Sequence, residues 1–213
     1  MIQGRCLCGT VRYEISAPLA ALLHCHCSMC RKHHGTAFVS WAVVPATGFR
    51  FTAGQENTRR FASSQTYHRS FCTTCGAVTP ETAASGEHVI IPAGNLEGDL
   101  GMTPQLHMFV ASKAPWYEIT DALPQHAEFP AEFGMQATAR APVPPPPAAV
   151  TAGSCLCGSV AYEIGSPALR FMYCHCSRCR LKKHSSFHQK TPSRMPNTVP
   201  HRAGVPRLPC CRC

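Results

Sequence analysis

Long apolar segments are missing from this chain of 213 residues. No stretch approaches the roughly 20 apolar residues that a membrane-spanning helix needs. The amino terminus runs from Met1 to Cys6 without an apolar signal segment or a small-residue cleavage site. These absences lead us to expect a soluble protein in a reducing cytoplasm, with no membrane partner.

Three common catalytic patterns are also missing. The sequence contains no Gly-rich phosphate loop, no Ser-His-Asp pattern and no carboxylate dyad. Cysteine, in contrast, is plentiful, with 15 residues. A chain of this length can bury a core without disulfide staples, and clustered cysteines in a reducing compartment more often bind metal or do chemistry than pair. The cysteines are therefore the first candidates for function.

Acidic side chains are absent from residues 181–213, which carry seven Lys and Arg side chains. The other 180 residues hold 13 basic and 11 acidic side chains, so most of the formal charge of +9 lies on this tail. Metal-bound thiolates would make the main part still less positive. The main part therefore has little electrostatic attraction for phosphate backbones, and we do not expect nucleic acid as a partner.

The cysteine motifs occur twice in the chain. The segment RCLCGTVRYEI at residues 5–15 recurs as SCLCGSVAYEI at residues 154–164, and CHCSMCR at residues 25–31 recurs as CHCSRCR at residues 174–180. All five shared cysteines are displaced by the same 149 residues. Two unrelated metal-binding motifs would not keep one register, so we interpret the second set as a copy of the first.

The second copy is incomplete, and a Pro-rich segment separates it from the first. We predict a first domain at residues 1–135, a Pro/Ala-rich linker at residues 136–153 and a truncated second repeat with an irregular basic tail at residues 154–213. Counterparts of Cys72 and Cys75 would fall beyond residue 213, and prolines recur in the tail. A shifted reading frame or a degraded repeat is our hypothesis for residues 181–213.

The first copy has a pattern typical of β-structure. Residues 9–15 alternate apolar and polar side chains, as a half-buried strand does. Further apolar, aromatic or β-branched runs lie at residues 38–44, 49–52, 66–71, 89–92 and 106–110. Gly, Pro and Ser interrupt the chain often. The pattern predicts a mainly β fold with little helix.

Three cysteine clusters lie in the first copy. They are Cys6-x-Cys8, Cys25-x-Cys27-x-x-Cys30 and Cys72-x-x-Cys75-Gly76. Residues two apart on a strand face the same side, so the first cluster can point both sulfurs at one ion. A CxxC turn followed by Gly is a zinc knuckle. Two plus two sulfurs predict a closed, structural zinc site, with free buried cysteines as the alternative.

The middle cluster leaves three cysteines for a second site. Three protein ligands and one open position are the arrangement of a catalytic zinc, and the open position can hold water or an exogenous thiolate. A nitrogen ligand from a nearby histidine could close the site instead, and a disulfide within the trio is another closed form. The nearby histidines are His24, His26, His33 and His34. Spacing alone leaves these forms open and does not decide which clusters share an ion.

The order of these motifs resembles the glutathione-dependent formaldehyde-activating enzyme family, which also includes centromere protein V-like proteins. GNLE at residues 94–97 and APWY at residues 114–117 are similar to later segments of that family, and the resemblance covers roughly residues 3–130. It implies a zinc-binding β-tent-like sheet fold, here followed by the incomplete second copy. It also implies a structural zinc on Cys6, Cys8, Cys72 and Cys75, and a second, more labile zinc on Cys25, Cys27 and Cys30.

The activity implied by the resemblance is condensation of glutathione, or a similar thiol, with formaldehyde or another small aldehyde. The reverse reaction is that of a carbon–sulfur lyase. Arg31 and Lys32 are candidates to hold the carboxylates of the thiol, or form an ordinary solvated pair. For His107, Trp116 and Tyr117, packing is the simpler interpretation than a role at the metal or pocket. The alternative function is a non-catalytic, zinc-stabilised binding module.

Overall fold

A computed structural model describes residues 1–64, 67–133, 151–165 and 173–183. Within these ranges the protein is mainly β, as the sequence predicts, with two short α-helices and several single turns of 3-10 helix. The predicted linker, apart from residues 151–153, and the predicted tail beyond residue 183 lie outside the described residues. No helix in the described part of the chain is long and apolar enough to cross a membrane.

The strands and helices are all short. In chain order, the first copy contains β1 (Ile2–Arg5), β2 (Arg12–Ile15), β3 (Ala21–Cys25), α1 (Ser28–His34), β4 (Val39–Pro45), β5 (Phe49–Ala53), β6 (Thr58–Ala62), β7 (His68–Cys72), β8 (Glu81–Thr82), β9 (His88–Pro92), β10 (Leu96–Glu97) and β11 (His107–Met108). The second copy contains β12 (Thr151–Ser154), β13 (Ala161–Ile164) and α2 (Ser177–Lys183).

Two sheets form the body of the first copy. One has the strand order β10-β1-β2-β5, and the other has the order β11-β3-β4-β9-β8. Their neighbouring strands are antiparallel except for β11 and β3, which are parallel. Strands β6 and β7 pair separately as a hairpin. Because Cys25 ends β3 and Cys72 ends β7, two of the cysteine clusters start from fixed strand ends.

The largest apolar cluster joins the two sheets. Tyr13 and Ile15 from β2 pack together with Val44 from β4 and Ile91 from β9. Each large apolar side chain buried in this way contributes about 1.5–3 kcal/mol. Gly4 lies opposite Tyr13 in β1, and a Cβ at this position would collide with the tyrosine ring. A glycine is therefore required for this close approach of strand and ring.

The strands expected from apolar and β-branched runs are confirmed, with shifts at their ends. The strand predicted at residues 9–15 begins only at Arg12, because residues 6–11 form a turn in which Gly9 has a φ of 79°. The prediction that Cys6 and Cys8 lie on a strand is therefore wrong. Thr66, at the start of another predicted strand, lies outside the described residues.

The second hairpin has the local geometry of the first. Cys155 donates its N–H to the carbonyl of Val160 at 2.9 Å, and Gly158 has a φ of 82°. Its surroundings differ, because Val160 is 60% exposed and Tyr162 is 46% exposed. The counterparts of these two side chains, Val11 and Tyr13, are buried in the core of the first copy. The second hairpin thus keeps core-type residues without a core around them.

Contacts with the first copy hold the described part of the second copy. Lys32 donates to the hydroxyl of Ser154 at 2.6 Å, and Lys182 on α2 donates to the backbone carbonyl of Cys75. Helix α2 also lies against the 3-10 turn at Ala93–Asn95. The second copy therefore rests on the knuckle that carries Cys75.

We predict that residues 154–213 form no stable domain, whereas residues 1–140 fold alone. Ordering the backbone costs about 1–2 kcal/mol per residue, and a two-stranded hairpin with exposed Val160 and Tyr162 does not offset that cost. Limited proteolysis should cut within residues 141–153 and then degrade everything after the cut. A protected carboxyl-terminal fragment carrying stoichiometric zinc would contradict this prediction.

Candidate metal centres

Four cysteine sulfurs converge in the first copy. The Sγ atoms of Cys6, Cys8, Cys72 and Cys75 all lie within 4.8 Å of one another. The distance is 3.4 Å between Cys6 and Cys8 and 3.8 Å between Cys8 and Cys72. Zinc–sulfur bonds of about 2.3 Å at tetrahedral angles place sulfurs about 3.8 Å apart. The set therefore fits a closed four-cysteine site, which leaves no coordination position for a substrate.

Two tight turns bring these sulfurs together. In the first, Gly9 donates its N–H to the carbonyl of Cys6 at 3.1 Å; in the second, Gly76 donates to the carbonyl of Cys72 at 2.8 Å. Gly9 and Gly76 have φ angles of 79° and 65°, which residues with a side chain rarely adopt. The four cysteines that the motifs predict to share an ion thus lie together, and a turn rather than a strand aims Cys6 and Cys8.

The surroundings of this four-cysteine site are apolar. Cys6 and Cys72 are fully buried and pack with Val11 and Ala77. Burial raises the pKa of Cys6 to about 12, so this sulfur would stay protonated at neutral pH without a cation. A bound metal ion would supply the positive charge that turns such a thiol into a thiolate ligand.

The remaining trio, Cys25, Cys27 and Cys30, forms a second cluster. Its three Sγ atoms lie within 4.8 Å of one another. Cys25 ends β3, Cys27 caps the amino end of α1, and Cys30 lies in the first turn of that helix. The Cys27 sulfur accepts the N–H of Cys30 at 3.3 Å. A strand end followed by a helix cap therefore aims three sulfurs at one point.

A fourth protein ligand does not complete the trio among the described residues. His24, His26, His33 and His34 are all described, yet the cluster of converging donor atoms contains no histidine. The twelve described cysteines are all free thiols, so the trio contains no disulfide. Of the forms left open by the sequence, this geometry favours three ligands with an open position, and the donor set fits zinc.

A buried arginine lies beside the trio and supplies a positive charge to it. Both terminal nitrogens of Arg69 lie 3.7 Å from the Sγ of Cys30, and Arg69 is only 5% exposed. Hydrogen bonds from Cys25 and Cys27, together with the charge of Arg69, hold the pKa of Cys30 well below its usual value. The guanidinium of Arg69 therefore favours the thiolate form of Cys30.

A chain of hydrogen bonds connects the trio loop to the surface. Asp121, 47% exposed, lies 3.0 Å from Nε2 of His107, and Nδ1 of His107 lies 2.8 Å from Nε2 of His26. His26 stands between Cys25 and Cys27 and is fully buried. His107, which we interpreted as a packing residue, is buried and also forms the central link of this chain.

The chain defines the tautomers of both histidines. Although burial opposes it, hydrogen bonds from Leu123 and His107 lower the pKa of Asp121, so this carboxylate can only accept. A hydrogen bond from Nε2 of His107 to this carboxylate leaves Nδ1 of His107 to accept, so that His26 donates from Nε2. Burial lowers the pKa of His26 to about 4 and keeps it neutral. Its Nδ1 is thus an acceptor, with no hydrogen-bond partner among the described residues.

The two predicted thiol-binding residues have contacts of their own. Arg31 donates from Nε to the backbone carbonyl of His26 at 3.2 Å, which places it beside the trio loop. Lys32 points elsewhere and contacts Ser154 of the second copy. Arg31 is therefore well placed to meet a ligand at the trio, whereas Lys32 would have to leave Ser154.

A cavity of about 530 Å³ lies beside the His26 chain. Trp116 and Tyr117 line it, together with Lys113 and Gln125. The ring of Tyr117 lies 5.9 Å from that of His26, between centroids, so the cavity wall reaches the trio loop. Trp116 and Tyr117, for which packing was the simpler interpretation, thus line a cavity.

Three residues near the trio were not predicted from the sequence. Arg69 is 39 positions from its sulfur partner Cys30, and Asp121 is 14 positions from His107. Lys113 donates to the backbone carbonyl of Tyr117, and the ring of Tyr117 lies near that of His26. The only sequence signal was the position of Arg69, a charged residue two positions from the aromatic Tyr67 and Phe71 in a predicted strand.

The fold and the sites together define a mainly β protein with one closed and one open cysteine cluster in its first copy, both suited to zinc, and a third converging trio, Cys174, Cys176 and Cys179, in the second copy. The chain belongs to the glutathione-dependent formaldehyde-activating enzyme family, whose model matches residues 1–112 and 150–199. A curated protein of Halomonas elongata, named "Putative glutathione-dependent formaldehyde-activating enzyme", is 24% identical over 127 residues. That match covers 56% of this chain and 81% of the relative.

A solved structure is also similar in sequence. It is the crystal structure of a Rhodobacter sphaeroides protein, 29% identical, with a TM-score of 0.39. The match covers 48% of this chain and 97% of that one.

Proposed function

We propose that the protein adds the thiol of glutathione to formaldehyde and, in reverse, acts as a carbon–sulfur lyase. The observation that carries this proposal is the trio, where three sulfurs converge without a fourth protein ligand. An open position is what an incoming thiol needs. Family membership supports the choice of glutathione and formaldehyde as substrates.

We assign a structural zinc to Cys6, Cys8, Cys72 and Cys75, and a second zinc to Cys25, Cys27 and Cys30. When bound by the trio, zinc would favour thiolate over thiol at the attacking sulfur. Arg31 and Lys32 would hold the two carboxylates of glutathione. Lys32 would then give up its hydrogen bond to Ser154 and bind a carboxylate instead. Lys113, which lines the cavity, is a further cation on that side.

The reaction balances without an oxidant or reductant. The thiol releases its proton to solvent as its sulfur enters the site. The sulfur then forms a bond to the carbonyl carbon, and the π electron pair of the C=O bond moves onto oxygen. Solvent returns a proton to that oxygen, giving S-hydroxymethylglutathione. Holding the thiolate and the aldehyde together in the site supplies the proximity effect.

Titrating zinc and glutathione together tests this proposal against a non-catalytic binding module. Cobalt in place of zinc gives thiolate charge-transfer bands that report on both sites. The proposal expects glutathione to change the bands of the trio, identified by their absence in Cys27→Ser, and to leave those of the four-cysteine site unchanged. If saturating glutathione leaves the cobalt bands of both sites unchanged, the result favours the binding module.

A further inference from the structure

Strand β7 connects the two cysteine clusters. Successive side chains of a strand point to opposite faces, so Cys72 and Arg69, three positions apart, face different sides. Cys72 joins the four-cysteine site, whereas Arg69 reaches the trio through its contacts with Cys30. One short strand therefore supplies a ligand to one site and a cation to the other.

The environment of Arg69 offers no other anion. Among the described residues Arg69 forms no ion pair with a carboxylate. The nearest candidate, Glu81, is already paired with Arg60 and accepts from Ser70. The guanidinium also lies 5.2 Å from the ring of Tyr67, which adds a cation–π contact. A buried cation needs a charged partner, and here that partner is a cysteine sulfur.

The charges at the trio then sum in a simple way. Three thiolates and one divalent zinc ion carry a net charge of −1, and the +1 charge of Arg69 neutralises it. A buried neutral cluster avoids most of the desolvation cost that a buried anion would carry. Partners of metal ligands outside the coordination shell commonly set metal affinity in this way.

We propose that Arg69 is a positioning residue of the second metal site, where it orients the Cys30 thiolate and neutralises the loaded trio. The inference rests on the proposed assignment of zinc to Cys25, Cys27 and Cys30. It makes Arg69 a determinant of how strongly the trio holds its metal. It also explains why an arginine is buried at a position where the strand pattern calls for an apolar side chain.

Arg69→Met tests the inference, because methionine fills similar space without charge or donors. We expect zinc affinity at the trio, measured by competition with a chromophoric chelator, to fall about 10- to 100-fold. Affinity at the four-cysteine site should not change. In the cobalt form, the thiolate bands of the trio should move to lower energy, because Cys30 loses two N–H contacts. Arg69→Lys keeps the charge and should recover most of the affinity.

Arg59→Met is the matched control, an exposed arginine on the neighbouring strand β6. Equal trio affinities in Arg69→Met and Arg59→Met would overturn the inference and leave the proposed function intact. Should the methionine variant fail to fold, Arg69→Gln, which keeps N–H donors but has no charge, decides: weaker zinc binding at the trio than in Arg59→Met supports the inference, and equal binding overturns it.

Failure of the proposed function gives a different result. A wild-type protein that binds two zinc ions but does not accelerate thiol addition would contradict that function and leave the role of Arg69 standing. A wild-type protein that binds no zinc at Cys25, Cys27 and Cys30 would overturn both.

Discussion

Cys72→Ser is expected to unfold the first copy, as is Cys75→Ser. Each removes one of four ligands from a site where metal binding and folding are coupled at about 10 kcal/mol or more. That free energy is comparable to the whole stability of a typical domain, about 5–15 kcal/mol. Cys72 is fully buried at the end of β7 and packs with Cys6 and Val11, so a serine hydroxyl would also be buried there.

Thermal melts followed by circular dichroism, with and without a chelator, measure this effect. The variant and the chelated wild type should both lack a cooperative transition. Cys157→Ser, in the exposed turn of the second hairpin, is the control and should melt like the wild type. A Cys72→Ser protein that melts like its parent would disprove the four-cysteine assignment.

Cys27→Ser should keep its fold and lose the second zinc, whereas Cys72→Ser should lose its fold. The Cys27 sulfur caps α1 by accepting the N–H of Cys30, and serine is among the best residues at a helix amino cap. The helix start is therefore preserved while a metal ligand is lost. With two thiolates left, the trio can no longer provide three protein ligands, and the catalysed reaction should stop.

Zinc content per chain and circular dichroism together decide the outcome. The variant should carry one zinc fewer per chain than the wild type and have a wild-type spectrum, and Cys176→Ser in the second copy should match the wild type in both first-copy sites. Loss of structure in Cys27→Ser would instead place Cys27 in the structural site.

Much of the fold was predictable where one face of a strand is buried. Strand β2 alternates and β4 is β-branched and aromatic, so both were expected. Strand β3 was not, because Leu22, Leu23 and His24 are all buried and give no alternation. Strand β6 was missed for the opposite reason, since Arg59 and Arg60 are exposed on a hairpin outside the two main sheets.

The sites, like the strands, could be predicted only in part. Local spacing defines each cysteine cluster, because a knuckle or a helix cap is built within a few residues, but it does not decide which clusters share an ion. The partners that complete the trio are remote in sequence: Arg69 arrives from β7, and Asp121 acts through His107 on β11. Such contacts depend on how strands pair, and a single sequence does not contain that information.

One measurement tests the central claim most directly: the exchange of ¹³C-formaldehyde with S-hydroxymethylglutathione at equilibrium, followed by NMR. Because the thiol adds to formaldehyde without a catalyst, the quantity of interest is the rate above that background. The account predicts that catalytic amounts of the two-zinc protein accelerate exchange and that folded, one-zinc Cys27→Ser does not. Equal exchange rates with the two proteins, or with free zinc at the same concentration, would contradict it.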